Sequence, residues 1–181
     1  MKKTIYFIFA LGMIIWLGGS VVRNAVIFDI FMPGNILTFK SGYSKEMIDY
    51  NIYLFTSGAT YTNFAYGLSF LAMVIIAVSE RKLIRTQGWL FMSIVLFLIV
   101  SPVVFYNIYL DFGLSRAIFY NDVSFLGDMD IQQSIFMRYK STLNTVFSGI
   151  AYLANANIIA YAVWKPLTKQ NSITGNINET N

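Results

Sequence analysis

Apolar residues gather in four long stretches of the sequence, and polar residues lie mainly in the segments between them. Each stretch approaches or exceeds the roughly 20 residues that a helix needs to cross a hydrocarbon core about 30 Å thick. The alternative, core helices of a large soluble protein, does not fit four such stretches in 181 residues. The pattern predicts an all-α integral membrane protein, an antiparallel four-helix bundle with helices over residues 4–22, 58–78, 89–110 and 142–164.

The first two helices have alternative limits. Two lysines precede the first stretch and small residues lie near its end, as in a cleavable secretory signal. The apolar run nevertheless continues toward residue 32, and no alanine pair marks a cleavage site, which favours a retained helix. Ser44, with Glu46 in the next turn, can cap a second helix that begins at residue 45 instead of 58.

The segments beyond these helices also carry signals. Over residues 112–140, apolar clusters alternate with polar residues, which predicts interfacial helices in the external loops. Asp128 or Asp130 is expected to cap an outward extension of the fourth helix. The transmembrane domain would then cover residues 1–167, and the polar segment 168–181 is predicted to be a disordered cytoplasmic tail.

Composition supports a lipid environment. Hydrophobic residues make up 56% of the chain and charged residues 12%, about half of the roughly 25% in soluble domains. The mean hydropathy is +0.58. We therefore expect membrane lipids to surround most of the polypeptide.

The charges predict an orientation. Segments on the side of the N-terminus carry seven Lys or Arg and two Asp or Glu, a sum of +5. The opposite segments carry six and seven, a sum of −1, which accounts for the net charge of +4. The positive-inside rule then places both termini in the cytoplasm, and Lys2-Lys3 is compatible with a bacterial cytoplasmic (inner) membrane. Since topology explains the positive charge, no nucleic-acid partner is expected.

The chain has no cysteine and no histidine, which removes most catalytic and cofactor chemistry. Disulfides, thiolate nucleophiles, Fe–S clusters and the usual zinc, copper and haem ligands are all excluded. Asp122, Asp128 and Asp130 could offer oxygen ligands to Ca²⁺, but their spacing matches no EF-hand loop, so we interpret them as loop charges and a cap. We predict no metal, no cofactor and no enzymatic activity.

Polar side chains recur at helical spacing within the apolar stretches. Two inward faces are predicted: Thr56, Thr60, Asn63 and Gly67 on the second helix, and Asn144, Ser148, Ala151 and Asn155 on the fourth. Gly18 and Gly19 are expected to let a neighbouring helix approach closely.

Most of these polar residues fall in the outer half of the membrane, where they predict either a packing seam or a pocket. Arg23 lies near the outer edge, where it could snorkel, pair with Asp29 or Asp111, or bind an anionic ligand. The candidate residues are Arg23, Asn63, Ser101, Asn107, Asn144, Ser148 and Asn155.

Trp16-Leu17-Gly18-Gly19 and the helix end Ala162-Val163-Trp164-Lys165-Pro166 resemble small four-helix bacterial membrane proteins of unknown function. The W-x-G-G helix is also similar to that of copper-resistance D-like membrane proteins. That family has histidines near the motif and this chain has none, so copper handling does not follow from the resemblance.

Two functions are the main hypotheses, and a membrane enzyme that uses acidic groups is a third. The first is a non-catalytic accessory, assembly or scaffold subunit that contacts other integral membrane subunits or a second copy of itself. The second is a carrier or receptor for a small solute, lipid or ion, with a polar pocket in the outer half of the bundle.

Overall fold

The computed structural model describes residues 2–32, 35–121 and 129–166, and this part of the chain is mostly helical. The predicted tail over 168–181 and the side chains of Asp128 and Asp130 lie outside the described part. In chain order the elements are α1 (Lys2–Asp29), β1 (Phe31–Met32), β2 (Asn35–Phe39), α2 (Lys45–Ser79), α3 (Arg81–Thr86), α4 (Gly88–Asn121), α5 (Met129–Tyr139) and α6 (Thr142–Trp164).

Four helices are long and apolar enough to cross a membrane, as the sequence predicts. The candidate spans are Lys3–Asp29, Lys45–Ser79, Gly88–Phe119 and Thr142–Trp164. At about 1.5 Å per residue, α2 and α4 are each about 50 Å long, so both extend well beyond a hydrocarbon core of about 30 Å.

Several helix limits differ from the expected ones. Ser44 caps α2 as predicted, since its side chain accepts a hydrogen bond from the Met47 amide, and α2 begins at Lys45. The helix predicted over 89–110 continues to Asn121, because nothing in that stretch breaks it and Leu114 still has a buried apolar position.

The segment before α6 also departs from the prediction. Instead of an outward extension of α6, it forms the separate helix α5, and Ser141 caps α6 by accepting a hydrogen bond from the Asn144 amide. The side chain of Ile135 on α5 is 2% exposed, so α5 is packed against the rest of the protein. Phe31 pairs with Phe39 in the two-stranded antiparallel hairpin of β1 and β2, which an all-α prediction omits.

Two glycines bring α1 close to α2. A Cβ atom added at Gly12 would lie 2.7 Å from the Ala65 carbonyl oxygen, and one added at Gly19 would overlap the Thr62 methyl group. At Gly18 an added Cβ meets none of the described atoms within 4 Å, so of the two predicted glycines only Gly19 serves the approach.

Buried apolar residues form two clusters along the helices. The larger includes Met13, Trp16, Tyr66, Phe97 and Ala151, and the smaller includes Ile27, Ile52, Phe55, Leu114 and Ile135. The smaller cluster lies at the end of the molecule that carries the β-hairpin and α5, which we call the hairpin end. The opposite end, where α1 begins, α3 lies and α6 ends, is called the termini end.

The predicted inward faces are right for α6 and partly wrong for α2. Asn144, Ala151 and Asn155 are buried. On α2 the side chain of Thr60 is exposed, whereas Thr62 is buried. Packing against α1 at Gly19 turns the face of Thr62 inward, and this rotates Thr60 away from the core.

Candidate functional site

A single buried carboxylate joins two arginines from different helices. Asp111 of α4 lies with its Oδ2 atom 2.9 Å from Nη2 of Arg23 on α1. Its other oxygen, Oδ1, forms an ion pair with Nη1 of Arg138 on α5. The side chains of Asp111 and Arg23 are 2% and 5% exposed, so this cluster is shielded from the surroundings.

Arg23 is also bound to α2. Its Nε atom donates to the Phe55 carbonyl oxygen at 3.1 Å, and Nη1 donates to the Thr62 hydroxyl at 3.0 Å. The guanidinium carbon lies 4.4 Å from the centre of the Phe55 ring, a cation–π contact. Of the roles predicted for Arg23, which were snorkelling, pairing with Asp29 or Asp111, and anion binding, the structure therefore shows the ion pair with Asp111. Asp29 instead pairs with Lys40, at 2.8 Å, and is half-exposed.

Amides extend the cluster toward α6. Asn63 of α2 donates to Asp111 Oδ2 at 3.3 Å. Asn107 of α4 donates to the Ser148 hydroxyl at 2.9 Å, and its Oδ1 atom accepts from Asn144 at 3.1 Å. Arg138 connects these amides to Asp111, because its carbonyl oxygen accepts from Asn144 at 3.0 Å. Five of the predicted residues therefore lie in one network around Asp111: Arg23, Asn63, Asn107, Asn144 and Ser148.

A second set of polar contacts connects α1, α5 and α6. The Tyr139 hydroxyl donates to Asn24 Oδ1 at 2.9 Å, and Asn24 Nδ2 donates to the Tyr152 hydroxyl at 3.2 Å. Burial raises the pKa of Tyr139 to about 12, although the nearby positive charge of Arg138 opposes the shift. Burial alone would lower the pKa of Arg138, but Asp111 and the neighbouring tyrosines raise it, so this guanidinium stays charged.

The cluster has an excess of positive charge and very little free space. Two guanidinium groups face one carboxylate, which leaves a formal charge of +1. The cavity among them is about 20 Å³, which is room for one or two water molecules. Its lining includes Ser20, Asn63, Asn107 and Ser148. The site as it stands has no room for an organic ligand.

Two predicted site residues lie apart from this network. Ser101 donates to the Phe97 carbonyl oxygen at 2.7 Å and forms a hydrogen bond of 2.9 Å with the Tyr66 hydroxyl. Asn155 is fully buried, and its Nδ2 atom donates to the Ala151 carbonyl oxygen at 2.8 Å. Both side chains satisfy local helix carbonyls instead of reaching Asp111.

Several residues of the network around Asp111 and of the second set of contacts do not appear in the predicted set: Asn24, Asp111, Arg138, Tyr139 and Tyr152. Asp111 was expected only as a possible partner of Arg23. It could have been placed in the set, because Ser101, Asn107 and Asp111 share one face of α4. Arg138 lies within residues 112–140, where interfacial helices are predicted in the external loop, and no periodic signal there indicates that α5 folds back onto α4.

The observed contacts of the cluster are ion pairs and hydrogen bonds. Within residues 2–32, 35–121 and 129–166, no three side chains of the His, Cys, Asp or Glu type are grouped so that they could hold a metal ion. Asp111 is engaged on both carboxylate oxygens by arginines.

Fold and site together define a helical protein with four helices able to span a membrane and a buried ionic cluster between them. No protein-family model matches the chain, and no curated protein or solved structure matches it either.

Proposed function

We propose that the chain is an antiparallel four-helix bundle in a bacterial cytoplasmic membrane, with both termini on the cytoplasmic side. The neighbours of α1 support this arrangement, since Gly12 lies against Ser69 and Gly19 against Thr62, so the two helices run in opposite directions. The basic segment around α3, with Arg81, Lys82 and Arg85, favours a cytoplasmic termini end.

In this membrane the protein acts as a non-catalytic accessory, assembly or scaffold subunit. The observation that carries the proposal is the closure of the buried polar network. Arg23, Asp111 and Arg138 bind one another, and the remaining cavity of about 20 Å³ is too small for an organic solute. The polar groups thus serve to fix α1, α2, α4 and α5 relative to one another. This favours the scaffold over a carrier that binds an organic solute or a lipid in a polar outer pocket.

The surface offers contacts to other membrane subunits or to a second copy. Large apolar side chains on α2 and α6 are turned outward, including Tyr61 at 75% and Leu153 at 68% exposed. In a bilayer both lipid tails and apolar helices can cover them, so partner contact there depends on shape and not on a hydrophobic driving force.

Site-specific photocrosslinking in native membranes tests the accessory role. A photoreactive phenylalanine analogue at Tyr61 or Leu153 is expected to give a discrete crosslinked product with a second membrane subunit. The same analogue at Phe97, which is fully buried, should crosslink only within the chain and serves as the control. Crosslinks to lipid alone from both outward positions would argue against a partner.

Stability and transport measurements on the purified chain distinguish the scaffold hypothesis from the carrier hypothesis. Asn63→Leu and Asn144→Leu each remove hydrogen bonds of the network and should lower stability in detergent by on the order of 1 kcal/mol. If the purified chain alone transports or binds a solute, and either variant abolishes this without loss of the folded state, the accessory role is wrong.

A further inference from the structure

A large cavity lies far from the ionic cluster, at the termini end. It is a groove of about 640 Å³ between α1, α2, α4 and α6, within the range of about 300–1,000 Å³ typical of ligand pockets. Most of its lining is apolar and includes Phe9, Ile14, Met73, Leu90, Ile158 and Val163. We call it the termini-end groove.

The depth of the groove fits one membrane leaflet. Along α1 its lining runs from Tyr6 to Ile14, a rise of about 12 Å. Along α6 it runs from Ile158 to Lys165, about 10 Å. Half of a hydrocarbon core about 30 Å thick is about 15 Å, so the groove follows the acyl region of one leaflet.

Polar groups occur near the mouth of the groove. The Tyr6 hydroxyl is buried and has no hydrogen-bond partner among the described residues, although it can donate one. A buried donor without an acceptor costs roughly 1–3 kcal/mol, and an acceptor on a bound molecule would remove that cost. Trp89, by contrast, is satisfied, since its Nε1 atom donates to the Gln87 side-chain oxygen at 2.6 Å.

Positive charge surrounds the same end. Lys165 lines the groove and is exposed, and it has a left-handed backbone with φ of 45°, which is uncommon for a residue with a side chain. Its amide caps α6 by donating to the Tyr161 carbonyl oxygen, so the chain leaves the helix at the mouth of the groove. Arg81, Lys82 and Arg85 are exposed on α3, whose Leu83 also lines the groove. With Glu80 the local sum is +3.

From these observations we propose that the termini-end groove binds an anionic phospholipid. One acyl chain lies along the apolar wall, an ester carbonyl accepts from Tyr6, and the phosphate faces Lys165 and the cations of α3. The apolar wall matches the acyl chain of such a lipid, the unsatisfied Tyr6 hydroxyl matches its ester group, and the cationic mouth matches its phosphate. The site does not depend on the scaffold role, and only its assignment to the cytoplasmic leaflet uses the proposed orientation.

Lipid retention by the full-length protein tests the proposal. The chain is purified in mild detergent, incubated with equal amounts of phosphatidylglycerol and phosphatidylcholine, and the lipids that remain bound are counted by native mass spectrometry. One phosphatidylglycerol per chain is expected, in several-fold preference over phosphatidylcholine. Equal retention of the two lipids would overturn the charge argument.

Paired variants locate the site. Ala162→Phe fills the groove and should reduce retained phosphatidylglycerol about tenfold, whereas Ala156→Phe, on an exposed part of α6 outside the groove, should not. Lys165→Gln should weaken phosphatidylglycerol about fivefold and leave phosphatidylcholine unchanged. Tyr6→Phe should weaken both lipids, with Tyr61→Phe on the exposed face of α2 as its control.

Folding is monitored through the melting temperature of each variant. If Ala162→Phe does not fold, Lys165→Gln and Tyr6→Phe decide the question, since both keep the volume of the groove nearly unchanged. Retention that is the same in all of these variants as in the natural chain would mean that the bound lipids are only annular, and the proposal would be wrong.

Discussion

Nη2 of Arg23 on α1 lies 2.9 Å from Oδ2 of Asp111 on α4, and both side chains are at least 95% buried. The pair lies between the two apolar clusters. Along both α1 and α4, residues of the larger cluster lie on one side of the pair and residues of the smaller cluster lie on the other side. A charged contact at this point specifies how α1 and α4 are placed along each other, because a shift of either helix would leave a buried charge without its partner.

Removal of the shared carboxylate should destabilise the protein strongly. Asp111→Asn leaves Arg23 and Arg138 buried without a counter-charge, and we expect a loss of about 3–5 kcal/mol in the free energy of unfolding. For a chain of this size that corresponds to a decrease of roughly 10 °C in Tm, measured by circular dichroism in detergent.

A matched control uses the exposed pair at the hairpin end. Asp29→Asn removes the contact with Lys40, which solvent screens, and should leave Tm nearly unchanged. Equal effects of the two substitutions would mean that the buried cluster does not stabilise the fold.

The close approach of α1 and α2 predicts opposite effects at two glycines of one helix. Gly12→Ala places a methyl group 2.7 Å from the Ala65 carbonyl oxygen, which should cost about 1–3 kcal/mol. Gly18→Ala meets no described atom within 4 Å and should stabilise the helix by about 0.5–1 kcal/mol. Thermal unfolding of both variants in the same detergent measures the difference, and a stabilising Gly12→Ala would contradict the observed packing.

The raised pKa of Tyr139 predicts that the folded protein loses stability at high pH. The folded protein keeps the Tyr139 proton up to about pH 12, whereas the unfolded chain loses it near pH 10. Between these values a rise in pH favours the unfolded chain, so this contribution to stability is complete below about pH 10 and is lost as the pH passes about 12.

An absorbance titration at the tyrosinate band, compared between the natural chain and Tyr139→Phe, measures this pKa. The difference should titrate near pH 12. A difference that titrates near pH 10 would show that the Tyr139 hydroxyl is accessible to solvent, whereas the structure has it buried and hydrogen-bonded to Asn24.

The proposed orientation can be tested without background, because the chain has no cysteine. Ser41→Cys at the hairpin end and Ser79→Cys at the termini end are both at exposed positions. An impermeant thiol reagent added to intact cells should label Ser41→Cys, and label Ser79→Cys only after the membrane is disrupted. The reverse pattern would invert the topology.

Hydrophobic periodicity and composition by themselves determined four helices able to span a membrane, because an apolar run of about 20 residues has few other stable environments. The preference of serine for helix N-caps was enough to predict that Ser44 caps α2 and that α2 can begin at Lys45. Helical spacing also placed Asn144 and Asn155 inward on α6. Each of these properties depends on residues that are close together in the sequence.

Only the tertiary structure decided which polar groups meet. Arg138 joins Arg23 at Asp111 because α5 folds back onto α4, and the sequence of a short helix does not encode where that helix will pack. Likewise, the sequence shows where the glycines are, but only the packing of α1 on α2 decides that Gly12 and Gly19 lie at the close contact between the two helices. Contacts between distant residues are set by the packing of all the helices at once, and no local pattern determines that packing.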